Sequence, residues 1–153
     1  MIKITVLAVG GIKEKFFDEA INEYQKRISR FAKLSIIEVS EESKEENIQK
    51  KIDKESEKLL SLCRGFVILT DRAGKDVSSE ELATQFDVLK NEGVGEITFI
   101  IGGSNGVNEK LKEYVSRSIS FGRITFPHQL FRVVLLEQIY RAFTISAGLP
   151  YHK

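Results

Sequence analysis

Glycine, serine and histidine supply the one spacing in this 153-residue chain that reads as covalent chemistry. Gly102-Gly103-Ser104-Asn105-Gly106 fits G-x-S-x-G, in which a serine sits on a sharp strand-to-helix turn with its hydroxyl exposed. Ser104 is then a candidate nucleophile, with His128 or His152 as its base. No Asp lies between Ser104 and either histidine, so only Glu109, Glu113 and Glu137 are left to orient a base, and the chain is short for an α/β hydrolase. The same loop lacks the G-K-[ST] of a phosphate loop and the G-x-G-x-x-G of a dinucleotide fingerprint. It remains a turn whose amides and carbonyls can approach a flat, polar ligand, because glycine has no Cβ to hold the ligand off. Two histidines so far apart do not make a metal site. Cys63 is the only cysteine, which excludes an internal disulfide and a multi-cysteine metal site and leaves it as a packing residue.

The elements that must position these residues follow from periodicity. Ile2 to Val9 is an apolar, β-branched run closed by Gly10-Gly11 and reads as a buried strand. Phe17, Ala20, Ile21, Tyr24, Ile28 and Phe31 recur at helical steps. Leu34 to Val39 is a second strand, and Glu41 to Lys58 a charged amphipathic helix around Ile48, Ile52 and Leu59. Phe66 to Thr70 is a third strand, followed by a loop over Asp71 to Lys75. Ser78 and Glu81 have capping-box spacing for a helix running to Gly93. Ile97 to Ile101 is a fourth strand ending in the glycine loop, and Asn108 caps a short helix. A fifth strand lies within Ser118 to Phe126. Pro127 breaks it, and Gln129 to Ala147 is a long helix stopped by Gly148 and Pro150. Alternating strands and helices predict an α/β domain with a largely parallel sheet, whose ligands bind outside the carboxyl ends of the strands. The last helix is apolar around most of its circumference, which predicts burial on two sides, in the core or against a second subunit.

Length and composition fit one soluble domain, with 42% hydrophobic and 29% charged residues. No stretch is apolar enough to span a membrane, and the N-terminus lacks the charge layout of a signal peptide, so a cytoplasmic protein is expected. The net charge of +1 excludes a polycation or an acidic tail but hides an asymmetry. Residues 117–153 hold five basic residues (Arg117, Arg123, Arg132, Arg141, Lys153) against Glu137, a charge of 5 − 1 = +4; residues 1–116 therefore carry 1 − 4 = −3. A basic C-terminal segment is compatible with an anionic partner.

Several blocks together carry a specific match: Ile101-Gly102-Gly103-Ser104-Asn105-Gly106, Thr125-Phe126-Pro127-His128-Gln129-Leu130, the run Arg132 to Ala142, and the ending Tyr151-His152-Lys153. With the opening Lys3 to Gly10, they make the chain resemble, over essentially its whole length, the ribosomal RNA large-subunit methyltransferase H family, small SPOUT-class enzymes. The resemblance implies an α/β fold with a C-terminal trefoil knot, a homodimer, and methyl transfer from S-adenosylmethionine to N3 of a pseudouridine in helix 69 of 23S rRNA. It implies cofactor contacts at Thr70, where the family usually carries Leu, at Gly102, and at Phe121, Gly122, Arg123, Ile124, Thr125 and Phe126.

On the same basis, His152 is the candidate to position or accept the N3 proton, acting at a partner's cofactor. Arg123, Arg132, Arg141, Tyr151 and Lys153 are candidate RNA contacts, with Arg132 or Arg141 alternatively pairing with Glu137 in the dimer. Without a separate RNA-binding domain, the expected substrate is the assembled ribosome, whose shape supplies specificity. A serine hydrolase built on Ser104 and a non-enzymatic RNA-binding module remain as the other classes.

Overall fold

Five strands pair in parallel in a single sheet of order β2-β1-β4-β3-β5, in a computed structural model that describes residues 1–153. The elements are β1 (Ile2–Val9), α1 (Lys15–Ile28), β2 (Ala32–Val39), α2 (Ile48–Leu62), β3 (Phe66–Asp76), α3 (Ser79–Asn91), β4 (Glu96–Ile101), α4 (Glu109–Tyr114), β5 (Arg117–Ser120) and α5 (His128–Ser146). The central strands, β1, β4 and the first half of β3, are buried on both faces, so they read as continuous apolar runs. Alternation then divides each strand between two cores. Ile4, Val6 and Ala8 of β1 join Ile21, Leu82, Leu135 and Ile139 under α1, α3 and α5. Leu7 and Val9 join Leu59, Cys63 and Leu111 under α2 and α4.

α5 lies between α1 and α3, which is why it has no continuous polar face. Phe143 stands between Phe31 at 5.5 Å and Phe86 at 5.1 Å. Gln129 at its start accepts hydrogen bonds from the backbone N–H groups of Lys13 and Glu14 and so serves the N-terminal end of α1, where Glu14 provides no side-chain cap.

The structure departs from the sequence reading at two places. The loop expected over Asp71–Lys75 belongs to β3: Thr70 and Lys75 both lie opposite Ile119, with the intervening residues bulged outward, and Asp76 pairs with Ser120. Gly74 makes the bulge possible, because a Cβ there would lie 2.8 Å from the Ile119 nitrogen. The second helix starts at Ile48 rather than Glu41. Asn47 caps it, its side chain accepting from the Lys50 N–H at 3.0 Å. Glu41, Glu42 and Glu45 precede the helix and fold back to pair with Lys51, Lys58 and Lys54. Charge density there marks the start of α2 and the loop before it, and periodicity does not separate the two.

Candidate functional site

A concavity of about 570 Å³ opens at the carboxyl ends of β3, β4 and β5. That volume falls within the roughly 300–1,000 Å³ of small-molecule sites. β3 contributes Thr70, Asp71 and Arg72, and the glycine loop contributes Gly102 to Val107. Phe121, Gly122, Ile124, Thr125 and Phe126 come from the connection between β5 and α5, and His128 and Phe131 from α5 itself.

Each wall is fixed by local bonds. The Ser120 hydroxyl donates to the Gly122 carbonyl at 3.0 Å and accepts from the Gly122 N–H at 3.1 Å, shaping the turn after β5. Arg72 donates to the Thr125 hydroxyl at 2.6 Å and joins the β3 bulge to the same connection. The Thr70 hydroxyl donates to the Ile100 carbonyl at 2.8 Å, so a Thr at this position adds no free donor to the wall. Phe131 packs between Phe121 and Phe126 at 5.6 and 5.7 Å and gives one side of the cavity an aromatic floor.

The glycine loop is anchored from behind by α2. The Gly106 N–H donates to the Gly103 carbonyl at 3.0 Å and closes the loop. The Asn108 N–H donates to the Ser56 hydroxyl at 3.0 Å, and its side-chain amide to Asp53 at 3.1 Å. A Cβ on Gly103 would stand 2.8 Å from a Glu55 carboxylate oxygen and 3.3 Å from Val9, so only glycine permits this close packing.

His128 has its Nε2 enclosed and without a partner. Burial, followed by the nearby Arg132 charge, holds its imidazole below the usual range. Arg132 is itself buried, 2% exposed: it bonds Glu38 at 2.6 Å and donates to the Gly10 carbonyl at 3.0 Å.

Of the eight residues expected at a cofactor, Thr70, Gly102, Phe121, Gly122, Ile124, Thr125 and Phe126 all line this one cavity. Arg123 does not; it is exposed beside the cavity. Asp71, Arg72, His128 and Phe131 also line it and were not singled out as ligand contacts. Asp71 and Arg72 follow the end of a strand directly, where ligands to such sheets collect. His128 and Phe131 carry no comparable sequence signal.

The RNA-contact expectations divide. Arg132 is corrected: a side chain buried and bonded inside the fold presents no charge to a phosphate. Arg141 pairs with Glu137 at 2.7 Å within the same chain, not across a dimer. Its guanidinium lies 4.7 Å from the centre of the Tyr151 ring, while Tyr140 meets that ring edge-on at 4.8 Å. Arg123 and Lys153 are exposed.

His152 stands apart from the cavity of its own chain. It contacts Arg141, which lies 141 − 128 = 13 residues beyond His128 on α5, a rise of about 20 Å at 1.5 Å per residue. Its Nδ1 faces an Arg141 nitrogen at 3.1 Å and its Nε2 faces a Glu80 oxygen at 2.6 Å. A guanidinium only donates, so Nδ1 accepts and the ring proton sits on Nε2, donated to Glu80. That bond is the main reason the Glu80 carboxyl is held below its usual range.

Ser104 is exposed and bonds neither histidine. No residue other than glycine has a positive φ, so Ser104 lacks the strained backbone of a nucleophile elbow. No group of three or more His, Cys, Asp or Glu side chains is placed to hold a metal ion, and no helix is long and apolar enough to cross a membrane.

Comparison with known proteins shows the family and the fold. Residues 2–152 match the family described as "Predicted SPOUT methyltransferase". A Streptococcus pneumoniae protein named ribosomal RNA large subunit methyltransferase H is 49% identical over 160 residues, covering 99% of this chain and 100% of the relative. Its namesake from Fusobacterium nucleatum subsp. nucleatum is 44% identical over 155 residues with the same coverage. The fold is shared with a solved structure described as a probable methylase family protein from Haemophilus influenzae, with a TM-score of 0.55 at 9% identity, covering 100% of this chain and 72% of the other.

Proposed function

The chain belongs to the SPOUT methyltransferase family, and from that premise we propose that it methylates N3 of a pseudouridine in helix 69 of 23S rRNA, with S-adenosylmethionine as donor, as a homodimer acting on assembled ribosomes. One observation carries the reading: seven residues from three separate segments, each implied to touch the donor, converge on a single cavity of suitable volume. The rRNA substrate rests on full-length relatives named for the large ribosomal subunit.

The residues present fit the donor. The aromatic floor of Phe121, Phe126 and Phe131 suits a flat purine. The glycine loop offers backbone donors and acceptors at close range, and the unpartnered Glu55 oxygen lies behind it. The bound donor supplies an activated methyl group on a sulfonium. The chain's own task is then alignment: the loops fix one reactant while the basic C-terminal segment receives the other. The N3–H of an imide is acidic enough that no dedicated strong base is required, which is consistent with the absence of a triad.

His152, about three and a half turns of α5 from the His128 end of its own cavity, can serve only the cavity of a partner subunit, and the dimer reading depends on this. The proposed knot is compatible with the order of strands, in which β4 lies between β1 and β3 and β5 on the far side of β3. Mass spectrometry of 23S rRNA from a strain lacking the protein tests the substrate: loss of one methyl group in helix 69 is expected, and an unchanged pattern overturns the assignment. Equal methylation of naked helix 69 RNA and of ribosomes would remove the assembled-ribosome part.

A further inference from the structure

Glu55 is the one acidic side chain of α2 sealed inside the protein, 1% exposed, and it faces the back of the glycine loop. One carboxylate oxygen accepts from the Glu42 N–H at 3.0 Å. The other is enclosed and has no hydrogen-bond partner. It makes no ion pair: three of the four lysines of the same helix pair elsewhere, Lys51 with Glu41, Lys54 with Glu45 and Lys58 with Glu42. A buried carboxyl with one oxygen unpartnered and no counter-ion is costly, and such groups persist where something else compensates them. The unpartnered oxygen is 2.8 Å from where a Gly103 Cβ would stand, and Gly103 lines the cavity. One residue's backbone therefore separates the unpartnered carboxyl oxygen from the cavity.

We infer that Glu55 is a specificity-determining residue that makes the cavity prefer a cationic ligand over its neutral counterpart, and so distinguishes a sulfonium methyl donor from the thioether left after transfer. This rests on the proposed function, which supplies the sulfonium. When the methyl carbon leaves sulfur for the acceptor nitrogen, sulfur keeps the bonding pair and becomes neutral, so the attraction to Glu55 is lost at that moment. The carboxylate favours the bound donor and the release of the spent one. It does not lower the barrier, because it stabilises the charged ground state at least as well as the transition state. At an effective dielectric of about 20, opposite unit charges within about 10 Å of each other attract by at least tenfold in affinity, and tenfold corresponds to about 1.4 kcal/mol.

Isothermal calorimetry with three ligands tests this: S-adenosylmethionine, its thioether product S-adenosylhomocysteine, and sinefungin, whose amine places a positive charge near the sulfonium position. Wild-type protein is expected to bind the two cations more tightly than the thioether. Glu55→Gln retains the bond from the Glu42 N–H through its carbonyl oxygen. It is expected to weaken both cations about tenfold while leaving the thioether within about twofold. Equal weakening of all three, or an unchanged ratio, overturns the inference and shows that Glu55 merely supports the loop. If Glu55→Gln does not fold, the wild type and Asp71→Asn, which changes an acid on the cavity wall, decide the matter. A cation preference that survives Asp71→Asn supports the assignment to Glu55. No preference in the wild type, or one abolished by Asp71→Asn, refutes it. Wild-type protein that binds none of the three ligands refutes the proposed function itself, and the inference falls with it.

Discussion

Replacing Arg132 by methionine separates an arginine that holds the fold from one that touches RNA. Methionine keeps the unbranched, flexible shape but removes the charge and the donors. Arg132 makes two bonds: one to Glu38, whose side chain is 47% exposed, and one to the Gly10 carbonyl. A half-exposed carboxylate regains water when its partner leaves, so the pair contributes about 0.5–1 kcal/mol. The bond to Gly10 has a charged donor and adds about 1.5–3 kcal/mol. Relief of the enclosed, unpartnered Arg132 Nε offsets part of this. The net cost of Arg132→Met is about 2 kcal/mol, or about 4–8 °C in Tm for a chain of this length. Arg132→Ala adds a cavity and should cost about 3–5 kcal/mol.

The assay pairs thermal unfolding with RNA binding measured across a salt series. The expected result is a lowered Tm with an unchanged slope of log affinity against log salt, compared at a temperature where both proteins are folded. A true phosphate contact would give the reverse: Tm within about 1 °C of wild type and a slope reduced by about one. That outcome would refute the burial argument for Arg132.

Other consequences of the geometry are as direct. Burial keeps His128 neutral in the folded chain at pH values where the unfolded chain takes up a proton. Its contribution to stability is thus complete above about pH 6.5 and is lost as pH falls through the lower folded value. Urea midpoints at pH 7.5 and 5.5 should converge in His128→Gln relative to wild type, and parallel shifts in the two proteins would contradict this. The Tyr151 phenol is pushed up to about 12, by burial first and by the Glu137 carboxylate next. The tail contact is therefore intact below about pH 10 and is lost as pH rises toward 12. Phenolate absorbance should show a late-titrating tyrosine that Tyr151→Phe removes. Gly103→Ala forces a Cβ to within 2.8 Å of Glu55, which should cost about 1–3 kcal/mol of stability and weaken donor binding, both measurable on one sample by calorimetry.

Much of the scaffold was legible in the chain because it depends on local pattern. Apolar runs closed by glycine located β1 and β4, and the helical repeat through Tyr24 and Ile28 located α1. Ser78 and Asn108 cap α3 and α4 as their spacing indicated, each accepting from the N–H three residues on. The second half of β3 was hidden because Asp71-Arg72-Ala73-Gly74-Lys75 is polar and turn-like; only pairing with Ile119 and Ser120 of β5 makes it a strand. The start of α2 was hidden because Glu41 to Glu45 matches the helix in composition while folding back to neutralise its lysines.

The sequence by itself determined the alternating α/β order, the glycine loop at the end of β4 and the basic surplus of the last 37 residues, counted 153 − 117 + 1. Those properties are carried by neighbours along the chain. Charge destination is not. Arg132 is 94 residues from Glu38, and Glu55 is 48 from Gly103, so no periodicity reports that one arginine is neutralised inside the fold or that one carboxylate is left without a partner behind the cavity wall. Tertiary packing decided both, because burial fixes what a charge interacts with once water is excluded.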